Sequence, residues 1–236
     1  MKLAITILML IALCTSPSIG QRAASEWAAR GDQLSLSGAY DTAVSSYDRA
    51  LDLDPNNSTI LASKGIALAN LGRYSDAIDS FDKAISLDPS NSEAWYHKGT
   101  VLSLGLGKYN EGLTCLDKSL ELNPNNFDAL IIRGMTLSNT GRSDEALASF
   151  DRAININPLD PKGWNDKGVV LRDQRKYQEA LDCFNKALRL DSDNKAALTN
   201  KELTLQDIAQ AEADDFYELD NMLAEARRRD GSNMEG

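Results

Sequence analysis

A beat of 34 residues runs through most of this 236-residue chain, and it limits the possible folds more than any figure of composition. Pro55, Pro89, Pro124 and Pro158 follow one another at spacings of 34, 35 and 34, and Ser192 stands in the next slot, 34 further on. Between them Gly31, Gly65, Gly99, Gly134 and Gly168 keep the same interval. Three further series fall into step: Ala43, Ala77, Ala146 and Ala180; Tyr47, Phe81, Phe150 and Phe184; Ala50, Ala84, Ala153 and Ala187. A unit of this length cannot bury its apolar face alone, so the repetition implies stacked units that share a core.

Within each unit the apolar residues recur at helical spacing on two segments. In the third, Trp95, Gly99 and Leu102 mark the first segment, and Tyr109, Leu113, Leu116 and Leu120 the second. "NLGRYSDA" and "NTGRSDEA" place a glycine between the two, where a positive φ costs it little. The Asp-Pro and Asn-Pro pairs end the second helix, because proline lacks a donor and disfavours helical geometry in the residue before it. Ser58, Ser92 and Asn125 or Asn126 are the expected caps of the helices that follow. The third unit is one residue longer, with "LGLGKYN" at its turn and Gly112 and Ser119 where the others have alanine. A glycine inside a helix costs about 1 kcal/mol relative to alanine, which marks this unit as the softest, slightly kinked.

These positions resemble the tetratricopeptide repeat. Trp27, Gly31, Tyr40, Ala43, Tyr47, Ala50 and Pro55 carry the signature in the first unit, and Leu61, Gly65, Tyr74, Ala77, Phe81, Ala84 and Pro89 in the second. Trp95, Gly99, Tyr109, Leu116 and Pro124 carry it in the third, and Leu130, Gly134, Ala146, Phe150, Ala153 and Pro158 in the fourth. In the fifth it falls on Trp164, Gly168, Tyr177, Ala180, Phe184 and Ala187. Ser143 replaces the turn aromatic of the fourth unit, and Ser192 the last proline. The resemblance implies an all-α, right-handed superhelical solenoid of stacked antiparallel helix pairs. The units are expected at 24–57, 58–91, 92–126, 127–160 and 161–194, followed by one or more capping helices over 195–230 and a disordered tail over 231–236. For the apolar row of Phe216, Leu219 and Leu223 two readings stand, a cap on the array or a docking contact.

The N-terminus departs from the period. Lys2, an apolar run from Leu3 to Leu13 and then small and polar residues are the layout of a secretory signal, here residues 1–20. Cleavage is expected after Gly20, and Ala23 or Ala24 would also serve. The run is short for a membrane span. Export is therefore the expected localisation, secreted or associated with the cell envelope, and the alternative is an anchor retained over residues 3–13. Two cysteines remain beyond the leader, Cys115 and Cys183, two units apart and expected as free thiols, because a disulfide needs Cα atoms within about 7 Å.

No catalytic pattern stands out. A single histidine, His97, excludes histidine-based metal clusters, and there is no CxxC pair. "GLGK" at 105–108 lacks the rest of a phosphate loop, and the Asx-rich turns lack the ligand alternation of a calcium loop. No cofactor and no enzymatic activity are expected. The formal charge of −10 argues against nucleic acid, whose phosphates require clustered Lys and Arg, and against anionic membrane surfaces. A neutral or basic protein partner stays open on charge, and the resemblance implies a protein or peptide.

The resemblance implies that the first helices line a concave groove. Counting from Trp95, its expected lining is Glu93, Tyr96, His97, Thr100 and Leu104 in the third unit, with Ala62, Ser63 and Ile66 in the second. Asp128, Ile131, Ile132 and Met135 continue it in the fourth, and Lys162, Asn165, Asp166, Val169 and Arg172 in the fifth. One branch of the family grips a peptide's terminal carboxylate with a Lys/Asn/Arg clamp; Ala28 and Asp32 in the opening slots do not suit that role. The function implied is a protein-interaction scaffold, and its alternative a membrane-anchored structural or envelope-assembly factor.

Overall fold

The computed structural model describes residues 19–232. Residues 1–18 and 233–236 lie outside them, and with them almost all of the expected leader, Cys14 and the end of the tail. Helices account for the described residues in pairs: α1 (Ile19–Leu36) with α2 (Tyr40–Leu53), and α3 (Ser58–Asn70) with α4 (Tyr74–Leu87). Then come α5 (Ser92–Thr100), continued by a π-helical turn over Val101–Gly105, and α6 (Tyr109–Leu122). The series ends with α7 (Phe127–Asn139), α8 (Ser143–Ile156), α9 (Pro161–Asp173), α10 (Tyr177–Leu190) and the long α11 (Lys195–Ser232). Contacts divide the chain inside α7, into one compact unit ending at Ile132 and another beginning at Arg133. Each is an all-α stack of antiparallel helix pairs.

The glycine series explains how closely the two helices of a pair approach. A Cβ on Gly31 would lie 2.5 Å from the ring of Tyr47, and one on Gly65 2.6 Å from Phe81; Gly134 and Phe150, and Gly168 and Phe184, repeat the arrangement at 2.6 and 2.5 Å. Each ring packs closely against its glycine and is buried there. In the first unit the core gathers Ala43, Tyr47, Ala50, Leu68, Ala77 and Phe81; in the second, Leu171, Ala180, Cys183 and Phe184 pack together.

Turns follow a rule. Gly38, Gly72, Gly107 and Gly141 all have φ between 67° and 79°, the left-handed geometry that ends a helix. Around Gly72 the amide of Arg73 reaches back to the carbonyl of Leu68, and around Gly141 that of Arg142 reaches Leu137. In the last pair Arg175 takes this position at φ 59°, at a cost of about 1–2 kcal/mol relative to glycine. Asn126 caps its helix as expected, and the other two caps lie one residue before the expected serines. Asn57, Asn91 and Asn126 accept from the amides of Ile60, Ala94 and Ala129, so Ser58 and Ser92 are first helical residues instead of caps. The amide side chain follows the proline turn directly, which places its oxygen over the free amides of the first turn. Ion pairs join one repeat to the next: Lys64 with Asp48, Lys98 with Asp82 and Lys167 with Asp151, each lysine 16 residues after its partner. Half-exposed as they are, each contributes at most about 1 kcal/mol.

The extra residue of the third repeat is absorbed in its first helix, where the ladder widens to π geometry and the amide of Leu106 bonds to Val101. The irregularity therefore lies at 101–105 and not at Gly112. Gly112 is there to make room: a Cβ would collide with Ser103 Oγ and stand 2.9 Å from the carbonyl of Gly99. Leu116 replaces the ring of the other repeats, with its Cγ 2.8 Å from a Cβ placed on Gly99. Gly112→Ala is expected to lower stability by about 1–3 kcal/mol through overpacking, against the gain that helix propensity alone predicts. In a Ser103→Ala background the loss should shrink, because the oxygen in the way is gone; denaturant midpoints of the four proteins in this cycle measure it.

Candidate functional site

Two cavities hold residues of the expected groove, one in each compact unit. The first, about 300 Å³, opens beside the π-helical turn. Its walls are Ile66, Asn70 and Tyr74 from the second repeat and His97, Thr100 and Leu104 from the third, with Phe81 at its base. The widened turn borders this space, and Val101, Leu104 and Gly105 all line it.

His97 is the one titratable group there whose protonation is strongly biased. Its ring stacks on Phe81 (centroids 6.2 Å apart, planes at 12°) and leans against Tyr96 at 4.6 Å. Burial lowers its pKa to about 4, outweighing Asp128, which favours the charged form. The Glu93 carboxylate lies 3.7 Å from Nε2. With 28% of its side chain exposed, the neutral ring can still meet a ligand, as an aromatic surface and a hydrogen-bonding group. Burial also raises the Tyr96 hydroxyl above the usual phenol value, helped by Asp128. Thr100 donates to the carbonyl of Tyr96.

The second cavity, about 160 Å³, is lined by Met135, Ser138, Asn139, Phe150, Asp166, Val169 and Val170. Asp166 Oδ1 accepts from Asn165, whereas its buried Oδ2 has no partner, and burial raises the carboxyl's pKa.

Of the residues expected in the groove, Ile66, His97, Thr100 and Leu104 meet in the first cavity, and Met135, Asp166 and Val169 in the second. Three expectations are corrected. Ile131 is 0% and Ile132 7% exposed, so these side chains fill the core and offer no surface. Asn165, 9% exposed, is a link: it donates to Asp166 and accepts from Asn200 of α11 at 3.0 Å. Arg172 is held near Asp173 and Asp207, and Asp128 is exposed on the first turn of α7. Asp32, in the clamp slot, accepts from the Tyr47 hydroxyl at 2.8 Å. Sequence reasoning missed Tyr74, Asn70 and Phe81 as cavity walls. The two aromatics sit at signature positions read only as packing, and the single signal for the cavity was the extra residue of the third repeat.

Nothing catalytic assembles among the described residues, where no group of three or more His, Cys, Asp or Glu side chains could hold a metal. Cys115 and Cys183 are free and buried, and burial raises both thiols, Cys183 to about 11, which leaves them poor nucleophiles. Among the described residues no helix is long and apolar enough to cross a membrane.

Tetratricopeptide-repeat profiles match residues 29–92, 80–114, 115–148 and 161–194. Among solved structures the chain is similar to YrrB, described as a TPR protein with an unusual peptide-binding site, at 30% identity and a TM-score of 0.61, covering 75% of this chain and 90% of that one. It is also similar to MamA, at 26% identity and a TM-score of 0.62 over 72% and 92%. The fold is shared with a thermophilic TPR protein of Thermus thermophilus, at 21% identity and a TM-score of 0.63 over 78% and 100%. No curated protein sequence matches the chain.

The buried histidine predicts a pH dependence of stability. Its folded pKa of about 4 lies below the ordinary 6.5, so between these values the unfolded chain binds a proton that the folded one does not. The neutral ring's contribution is complete above pH 6.5, declines as the pH falls and is gone below 4. Unfolding free energies of wild type and His97→Gln, followed over that range, should differ by an amount that falls with acidification.

Proposed function

The chain belongs to the tetratricopeptide repeat family, and on that premise we propose that it is a non-enzymatic scaffold holding a segment of another protein against its first-helix faces. The observation that carries this reading is the cavity beside Val101–Gly105. Its rim residues Ile66, His97, Thr100 and Leu104 lie outside the packing signature of the repeat, and Leu104 is 45% exposed. An apolar pocket edged by a neutral imidazole, a threonine hydroxyl and the Asn70 amide suits an apolar anchor side chain on a peptide whose backbone bonds to the rim. The peptide-binding site described for YrrB supports the same direction by likeness. The acidic balance of the chain, −10 overall, favours a neutral or basic segment over nucleic acid. Residues 1–20 support export of the scaffold, with cleavage after Gly20.

Peptide display against the full chain tests the reading. Selected peptides should lose roughly tenfold or more in affinity for Leu104→Glu, a change at an exposed site that places an uncompensated charge on the pocket rim. If no peptide is enriched, or if those enriched bind wild type and Leu104→Glu equally, the cavity is not the site.

A further inference from the structure

The two halves of α11 differ. Its first half packs: Ala197 and Thr204 are fully buried, Asn200 donates to Asn165, and Asp207 approaches Arg172 at 3.8 Å. From Glu212 through Ala224 every residue is exposed, on all sides of the helix. Along that length Phe216, Leu219 and Leu223 fall on one face at i, i+3 and i+7, with Met222 beside them. Phe216 and Met222 are 70% and 69% exposed, and Leu219 and Leu223 51% and 47%. Single exposed apolar residues are ordinary on a protein surface, but a row of four on one helix face marks a contact surface. A solitary helix of this length gains little stability of its own in water, so a partner laid along that row would also stabilise it.

Charge identifies the partner. Between Glu202 and Glu225 there are eight carboxylates and no lysine or arginine. Glu212 lies in the apolar row, one turn before Phe216, and Asp220 borders it one turn after. A second copy in register would set these carboxylates against their own counterparts, and an anionic bilayer would repel them. A segment with its own apolar stripe and Lys or Arg along the edges meets both requirements. We propose that residues 212–224 are a docking surface for a basic amphipathic helix of another protein, separate from the cavity beside the π-helical turn.

The test uses the full chain and two synthetic amphipathic peptides with the same leucine stripe, one carrying lysines on its polar face and the other glutamates. Fluorescence anisotropy should show binding of the lysine peptide, weakened roughly tenfold by high salt. Phe216→Ser, Leu219→Ser and Leu223→Ser together should lose the same order of affinity. These positions are exposed, so unchanged circular dichroism and unfolding transitions would show the repeats intact, and Leu104→Glu should leave binding as it was. The proposal is overturned if the lysine peptide does not bind, if it binds the triple variant equally well, or if the glutamate peptide binds as tightly. It is overturned too if the chain alone sediments as a dimer that the triple variant dissolves, since the occupant would then be a second copy.

Discussion

An aromatic ring lying on a glycine backbone sets the spacing on which the other contacts depend. Tyr47, Phe81, Phe150 and Phe184 rest on Gly31, Gly65, Gly134 and Gly168, each ring within 2.6 Å of where a Cβ would stand. Glycine inside a helix forfeits about 1 kcal/mol of propensity, and burying a large ring against it returns about 2–3 kcal/mol. The alanine series then fills the closely approached positions, and Ala43, Ala50, Ala77 and Ala84 are all fully buried. With the pair held at this distance, first-helix residues outside the packing signature, His97 and Thr100 among them, can line a cavity.

The third repeat departs from this rule, and a cavity lies beside the departure. Leu116 stands where the ring belongs, one more residue must be fitted in, and the first helix widens into a π-turn whose Ser103 occupies the space left by Gly112. The buried hydroxyls of Ser103 and Ser119 are without hydrogen-bond partners, a cost carried in this repeat. Beside the same turn His97 stacks on Phe81 and remains neutral, so the local irregularity and the only histidine of the sequence meet at one cavity.

Much of the fold is legible in the sequence because it is written in repeated residues: the prolines, the turn glycines and the glycine–aromatic pairs each recur with a fixed meaning. The site is less legible, for physical reasons. Ile131 and Ile132 lie on the helix arc that reads as groove, yet helical periodicity gives an angle and not the depth of the neighbours beside it, and the structure buries both. Asn165 looks like a polar surface residue and is a buried link, because its partner Asn200 is 35 residues away and outside the period. His97 and Thr100 follow from counting from Trp95, which works where the helix is regular. The extra residue is visible at the "LGLGKYN" turn, but length alone does not say which of the two helices absorbs it.

The ring-on-glycine contact makes a prediction whose sign is opposite to that of helix propensity. Gly168→Ala, read by chemical unfolding, should destabilise the protein by about 1–3 kcal/mol, because its Cβ would meet Phe184 Cε1 at 2.5 Å. Pairing it with Phe184→Leu, the side chain found at the matching position of the third repeat, should cost less than the sum of the two single changes. If Gly168→Ala instead stabilises the protein by about the 1 kcal/mol that propensity alone predicts, the contact does not set the spacing of the helix pairs.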